Sequence, residues 1–172
     1  MKSLTCFRLR SASGLGSLLA LFLLLLPFNA WAALGDNAAS VLTDQARMKG
    51  TLSSIDNRTY VLHEITMVSG AKVREYVTPG GAVFGVAWEG QFLPDLELLL
   101  GAYYQQAQQA AAEQAASTQT QQGGVPVRRA RGPMVIEMPG LVLVQTGHMR
   151  SFHGVAYVPQ LVPQGVQASD VR

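Results

Sequence analysis

The sequence predicts an α+β fold, an antiparallel sheet of five to six strands with one long amphipathic helix packed on one face. Three observations predict it. Two groups of short runs rich in β-branched and aromatic residues are punctuated by Gly, Pro and Ser. Between them lies a single stretch with helical periodicity. The resulting order, β-β-β-α-β-β-β, lacks the strand–helix alternation of a parallel sheet. A small barrel with the helix at its mouth uses the same elements and is the alternative.

The chain has 172 residues and opens as an export signal. Lys2, Arg8 and Arg10 form a basic start, Leu18 to Leu26 is wholly apolar, and Ala30-Trp31-Ala32 supplies small residues before a cut between Ala32 and Ala33. Nine apolar residues rise only about 13 Å as a helix, too short for a bilayer core that needs about 20 residues. Residues 1–32 are therefore expected to be cleaved, residues 33–163 to form one domain, and residues 164–172 to be a mobile tail. No later segment is long enough to span a membrane. Cys6 leaves with the signal, so the remaining chain has no disulfide, no thiolate metal site and no cysteine nucleophile. The signal also takes three of thirteen basic residues and none of the eleven acids, leaving ten against eleven. That balance carries no electrostatic footprint for nucleic acid.

Asn37 to Met48 suits a short helix, with Asp36 or Asn37 as its cap and Gly50 as its stop. Tyr60–Val68, Lys72–Val77 and Ala82–Trp88 read as a three-stranded meander turned by Ser69-Gly70 and Pro79-Gly80-Gly81. A period of two puts Phe84, Val86 and Trp88 on one face and Val83, Gly85 and Ala87 on the other. Pro94, Asp95 and Glu97 open a helix running to about residue 116. Leu96, Leu99, Leu100, Tyr103 and Ala107 form its apolar stripe, with Leu98 on the opposite side. Residues 117–133 form a long polar loop carrying Arg128, Arg129 and Arg131, expected to be flexible. Met134–Met138 and Leu141–Thr146 make a hairpin around Pro139-Gly140, and Phe152–Val158 supplies one more strand.

The chemistry-bearing residues are few. His63-Glu64 begins an H-E-x-x-H pattern, but Met67 stands where the second histidine is needed. His148 and His153 have no third partner to complete a metal site, so no metal and no cofactor is expected. Arg74 and Glu75 point to opposite faces of one strand and cannot pair with each other. Arg74, Glu75, Trp88 and His153 are the candidate binding residues, with Trp88 also suited to the core. No catalytic residue is assigned.

The ordered set Val73-Arg74-Glu75-Tyr76-Val77, Gly81-Ala82-Val83-Phe84 with Trp88, Pro94-Asp95-Leu96, Leu99-Leu100-Gly101-Ala102-Tyr103 and Gly154-Val155-Ala156-Tyr157 resembles the domain of unknown function 2844 family. The sequence departs from that pattern at Gly90-Gln91, where Gly-Pro is expected. The resemblance implies an exported protein of Gram-negative bacteria, periplasmic or secreted, and a shared fold, with no activity attached. The residues point to a non-catalytic binding or accessory module whose partner is an unidentified protein or envelope ligand. An envelope structural or assembly component is the alternative, and a hydrolase-type enzyme stands third.

Overall fold

A computed structural model of the chain describes residues 34–121 and 132–172. The expected signal with its Ala32–Ala33 cut, and the loop arginines Arg128, Arg129 and Arg131, lie outside the described residues.

The described chain begins with helix α1 (Ser40–Met48). Asn37 organises its start: its side-chain oxygen accepts the Ala39 N–H at 3.1 Å, and its carbonyl accepts the Ser40 hydroxyl. Lys49, at φ 50°, ends the helix in the left-handed conformation. Val41 and Asp44, three residues apart, share the buried face.

Seven strands follow: β1 (Thr51–Asp56), β2 (Val61–Thr66), β3 (Lys72–Val77), β4 (Val83–Gly90), β5 (Met134–Met138), β6 (Leu141–His148) and β7 (Ser151–Tyr157). They form one open antiparallel sheet in the order β1-β2-β3-β4-β7-β6-β5. The first meander runs from an edge to the centre. The chain then crosses through helices to the far edge and returns inward, so the β4–β7 pair joins the halves. The α+β class holds, but the sheet has seven strands rather than five to six, and it does not close into a barrel. The unforeseen strand is β1. Its sequence, Thr-Leu-Ser-Ser-Ile-Asp, is almost wholly exposed and has no buried face to impose alternation.

The expected single helix is interrupted. Asp95 caps α2 (Leu96–Leu100), its carboxylate accepting the N–H groups of Glu97 and Leu98 at 3.1 and 3.2 Å. Gly101, at φ 50° and ψ −120°, then stops it. A 3₁₀ turn, Gly101–Tyr103, leads into α3 (Tyr104–Gln121). Leu98 is nevertheless not on an exposed side, because this short helix is covered on more than one of its faces. Leu98, Leu99 and Leu100 are all buried. Helix α3 covers the sheet thinly, as its alanines imply: Ala107 is buried and Ala110 and Ala111 partly so. Its start also lies within the segment read as helix, but it extends into the segment read as loop.

The sheet buries both faces. On the helix side, Ile65, Val73, Val77, Val83, Val86, Trp88, Leu141, Leu143 and Ala156 pack with Leu34, Val41, Leu99 and Leu100. On the other side, Tyr76, Phe84 and Ala87 pack with Tyr60, Leu62 and the C-terminal segment. Phe84 thus lies on the face opposite Val86 and Trp88, contrary to the simple period of two. The pairing register shifts between Tyr76 and Val77, a bulge that reverses the alternation within β4. The rings of Tyr60, Tyr76 and Phe84 stand 5.6–6.0 Å apart, centroid to centroid.

Residues 164–172, expected as a tail, lie against this second face. Val171 is buried and Val166 partly so, and Gly85 leaves the room that the Val171 side chain fills. The Tyr76 hydroxyl donates to the Arg172 backbone oxygen at 2.7 Å and accepts the Arg172 N–H at 3.0 Å.

Candidate functional site

Alternation along β3 sends Arg74 to the C-terminal-segment face and Glu75 to the helix face, as their adjacency requires. On the first face Arg74 stands between two glutamates on neighbouring strands. Its Nε donates to Glu64 at 2.9 Å, one terminal nitrogen to Glu89 at 2.7 Å, and the other to the Arg172 backbone oxygen at 3.1 Å. Lys72 Nζ lies 3.1 Å from the second oxygen of Glu64. Register explains the network, since Glu64 pairs with Arg74 across β2–β3 and Lys72 with Glu89 across β3–β4. Partial burial pushes the Glu64 carboxyl up, but hydrogen bonds and charge from Arg74 and Lys72 overcome this and hold it below its usual value. Arg74 is correspondingly held more firmly protonated despite its own desolvation.

This network floors an open cleft of about 510 Å³ lined by Tyr60, Leu62, Arg74, Glu89, Asp170 and Arg172. The sheet provides one wall and the C-terminal segment the other. An aromatic ring, an aliphatic side chain and charges of both signs share one concave surface. Such a lining suits a polar ligand that offers a flat or apolar part and groups of both charge signs.

The helix face holds a different arrangement. Glu75 is only 2% exposed and Asp44, reaching from α1, only 1%. The two carboxyls lie together, yet both Glu75 oxygens and Asp44 Oδ1 have no other hydrogen-bond partner among the described residues. Burial, above all, pushes Asp44 up to about 7, against hydrogen bonding with Glu75 and the charge of Arg47. Burial followed by the charge of Asp44 pushes Glu75 up to about 8. Two adjacent carboxylates without donors repel, whereas one proton between them creates a hydrogen bond. The pair therefore carries protons at neutral pH.

Glu75 also ends a cross-strand row on this face. Ser54 pairs with His63, and His63 pairs with Glu75. Ser54 Oγ and His63 Nδ1 are 2.7 Å apart, and burial lowers the His63 pKa, which favours the neutral ring. A neutral imidazole can accept a serine proton. Glu75, held protonated, is poorly suited to stabilise the imidazolium that would result.

The four residues singled out from the sequence are thus not one site. Arg74 lies in the cleft, Glu75 belongs to the buried pair, and Trp88 is 2% exposed within the core. His153 is exposed on β7 and contacts the Ser151 hydroxyl at 3.1 Å. A turn at Met149–Arg150 separates it from His148, so the two do not share an unbroken strand. Asp44, Ser54 and His63 were not picked out as site residues. Asp44 had a signal, falling one helical turn from Val41 on the apolar side of α1. No group of three or more metal-ligating side chains comes together among the described residues, and no described helix is long and apolar enough to cross a membrane.

No curated protein and no solved structure matches the chain. The motifs that build the sheet and the α2 cap do have counterparts in one family, described as "Protein of unknown function (DUF2844)", whose profile matches residues 30–171. This chain belongs to the DUF2844 family.

Proposed function

We propose that the protein is an exported, non-catalytic binding module and that its ligand occupies the cleft over Arg74. The observation that carries this reading is the cleft's composition: Tyr60 and Leu62 beside Arg74, Glu89, Asp170 and Arg172, on a floor fixed by three strands. Ligand sites combine such an apolar wall with a few oriented polar groups on rigid elements. Peptide segments carry this mixture, so a short peptide stretch of an envelope protein is the ligand class that fits. Export rests on the basic, apolar and A-x-A succession of residues 1–32.

Protein recovered from periplasmic extract should begin at Ala33. Its amide NMR spectrum, titrated with a library of mixed short peptides, should shift at Tyr60, Leu62, Arg74 and Glu89 while β5 and β6 stay still. A library that moves none of these amides, or moves them no more than the rest of the sheet, removes the reading.

The Ser54–His63 contact favours a second reading, a serine hydrolase. It predicts that a fluorophosphonate probe labels wild-type protein and not Ser54→Ala. A probe that labels neither form eliminates it.

A further inference from the structure

A second surface stands apart from the cleft, at the end of the sheet where β2 turns into β3. Among the described residues, seven large apolar side chains are markedly exposed, and four of them sit at this end. Val68, 96% exposed, tips the β2–β3 turn, and Met149, 95% exposed, tips the β6–β7 turn. Phe92 and Leu93, 66% and 43% exposed, follow the end of β4 between those turns. The pairings Thr66–Lys72, Lys72–Glu89, Glu89–His153 and Thr146–His153 fix the order of these segments across the sheet. At a strand spacing of roughly 4.8 Å, the three tips form a row about 14 Å long. The end of β4 lies close to the first turn, because Gly90 leaves its own backbone room beside Ala71. Phe152 packs on Gly147 behind the last one.

The charges at this end are also placed unevenly. Lys49, just before β1, and Arg150, beside Met149, are exposed and form no ion pair among the described residues. The acids here are engaged: Glu89 holds Arg74, and Asp95 caps α2. The row is made of single side chains on separate turns and not of one continuous helix or strand face. Apolar tips flanked by free cations match the boundary of an anionic bilayer, where the side chains enter the headgroup region and the cations meet phosphate.

We propose that this end of the sheet docks the protein on an anionic lipid surface through Val68, Phe92, Leu93 and Met149, with Lys49 and Arg150 on headgroup phosphate. The surface does not depend on the cleft reading, and either can fail alone.

The test is co-sedimentation of residues 31–172, which contain the compact unit of the fold. Vesicles of phosphatidylglycerol and phosphatidylethanolamine in equal parts are compared with vesicles of phosphatidylcholine. The protein should pellet with the anionic vesicles, and salt should weaken binding. Val68→Ser, Phe92→Ser and Met149→Ser should each lower binding by about tenfold, in line with partial removal of such side chains from water. Lys49→Glu with Arg150→Glu should erase the preference for anionic lipid. The five substituted positions are exposed, so these variants should melt with the wild type. Wild-type protein that stays in solution with both vesicle types overturns the proposal. So does binding that the tip substitutions leave unchanged, or tip substitutions that abolish binding to a soluble protein partner while vesicles never bind.

Discussion

Raising the pH from about 5 to about 9 should cost this protein on the order of 4 kcal/mol of stability, and Glu75→Gln should remove most of that loss. Burial raises the folded-state values of Asp44 and Glu75 from 3.8 and 4.5 to about 7 and about 8. A group with a raised folded value contributes fully below its unfolded value and loses that contribution as the pH climbs through the folded one. The window therefore opens near 4 and closes near 8, and the loss accumulates across the whole of it. One unit is worth about 1.4 kcal/mol, so a shift of this size in a single member is comparable to a large part of a domain's 5–15 kcal/mol. Physically, ionising both acids places two charges between α1 and β3 with no donor for either Glu75 oxygen. The groups facing the pair are Arg47 on α1, which favours ionised Asp44, and His63 across the β2–β3 ladder. Burial lowers the His63 value from 6.5, so its effect runs the opposite way and weakens the fold as the pH falls below that value. Thermal melts across the range should show wild type weakening steadily from about pH 5 to about 8, with Glu75→Gln and Asp44→Asn flatter and more stable at the alkaline end. A wild-type profile that is level through this window, or a Glu75→Gln profile with the same slope, would mean that the pair holds no proton.

That pair also shows where the sequence was legible. In Val73-Arg74-Glu75-Tyr76-Val77 the alternation places a glutamate at the same parity as two valines, which marks Glu75 as inward. Its partner is less visible, because Asp44 must be matched to it across elements far apart in the chain. The same division holds for the fold. Strands that bury alternate residues, such as β6 and β7, show themselves through composition and turns. Strand β1 does not, since an exposed edge is held by backbone pairing with β2, and that leaves little pattern in side chains. The helix break was hidden because Leu96, Leu99, Leu100 and Tyr103 fit one stripe on paper, while Gly101 adopts a conformation outside the helix. The cleft was half legible. Arg74 needed a cross-strand acid, and Glu64 supplies it, but the wall formed by residues 164–172 rests largely on backbone atoms of Arg172 meeting Tyr76.

Replacing Gly154 with Ala should destabilise the protein by about 3 kcal/mol or more, at the upper end of what one added methyl does in a packed core. Gly154 pairs with Trp88 across β4–β7, the junction that joins the two halves of the sheet. The indole of Trp88 lies flat over the glycine. A Cβ there would run into its Cζ2 and Cε2 and come within 2.8 Å of Nε1. The ring has nowhere to go, being 2% exposed among Val73, Val86, Leu99 and Leu100. Nor does a hydrogen bond hold it at this place, for Nε1 has no partner among the described residues, so shape alone fixes the contact. The clash must then be relieved by moving β7 away from β4, which weakens the strand pair on which both halves depend. Trp88→Leu should cost about 2–4 kcal/mol by itself through the lost volume. In the double variant the two losses should fall well short of their sum, because the smaller side chain gives the new methyl room. Denaturant unfolding of the four proteins measures this coupling directly. Additive losses would show that Gly154 is needed for its backbone and not for the indole, and a Gly154→Ala protein as stable as wild type would show that the ring does not sit there.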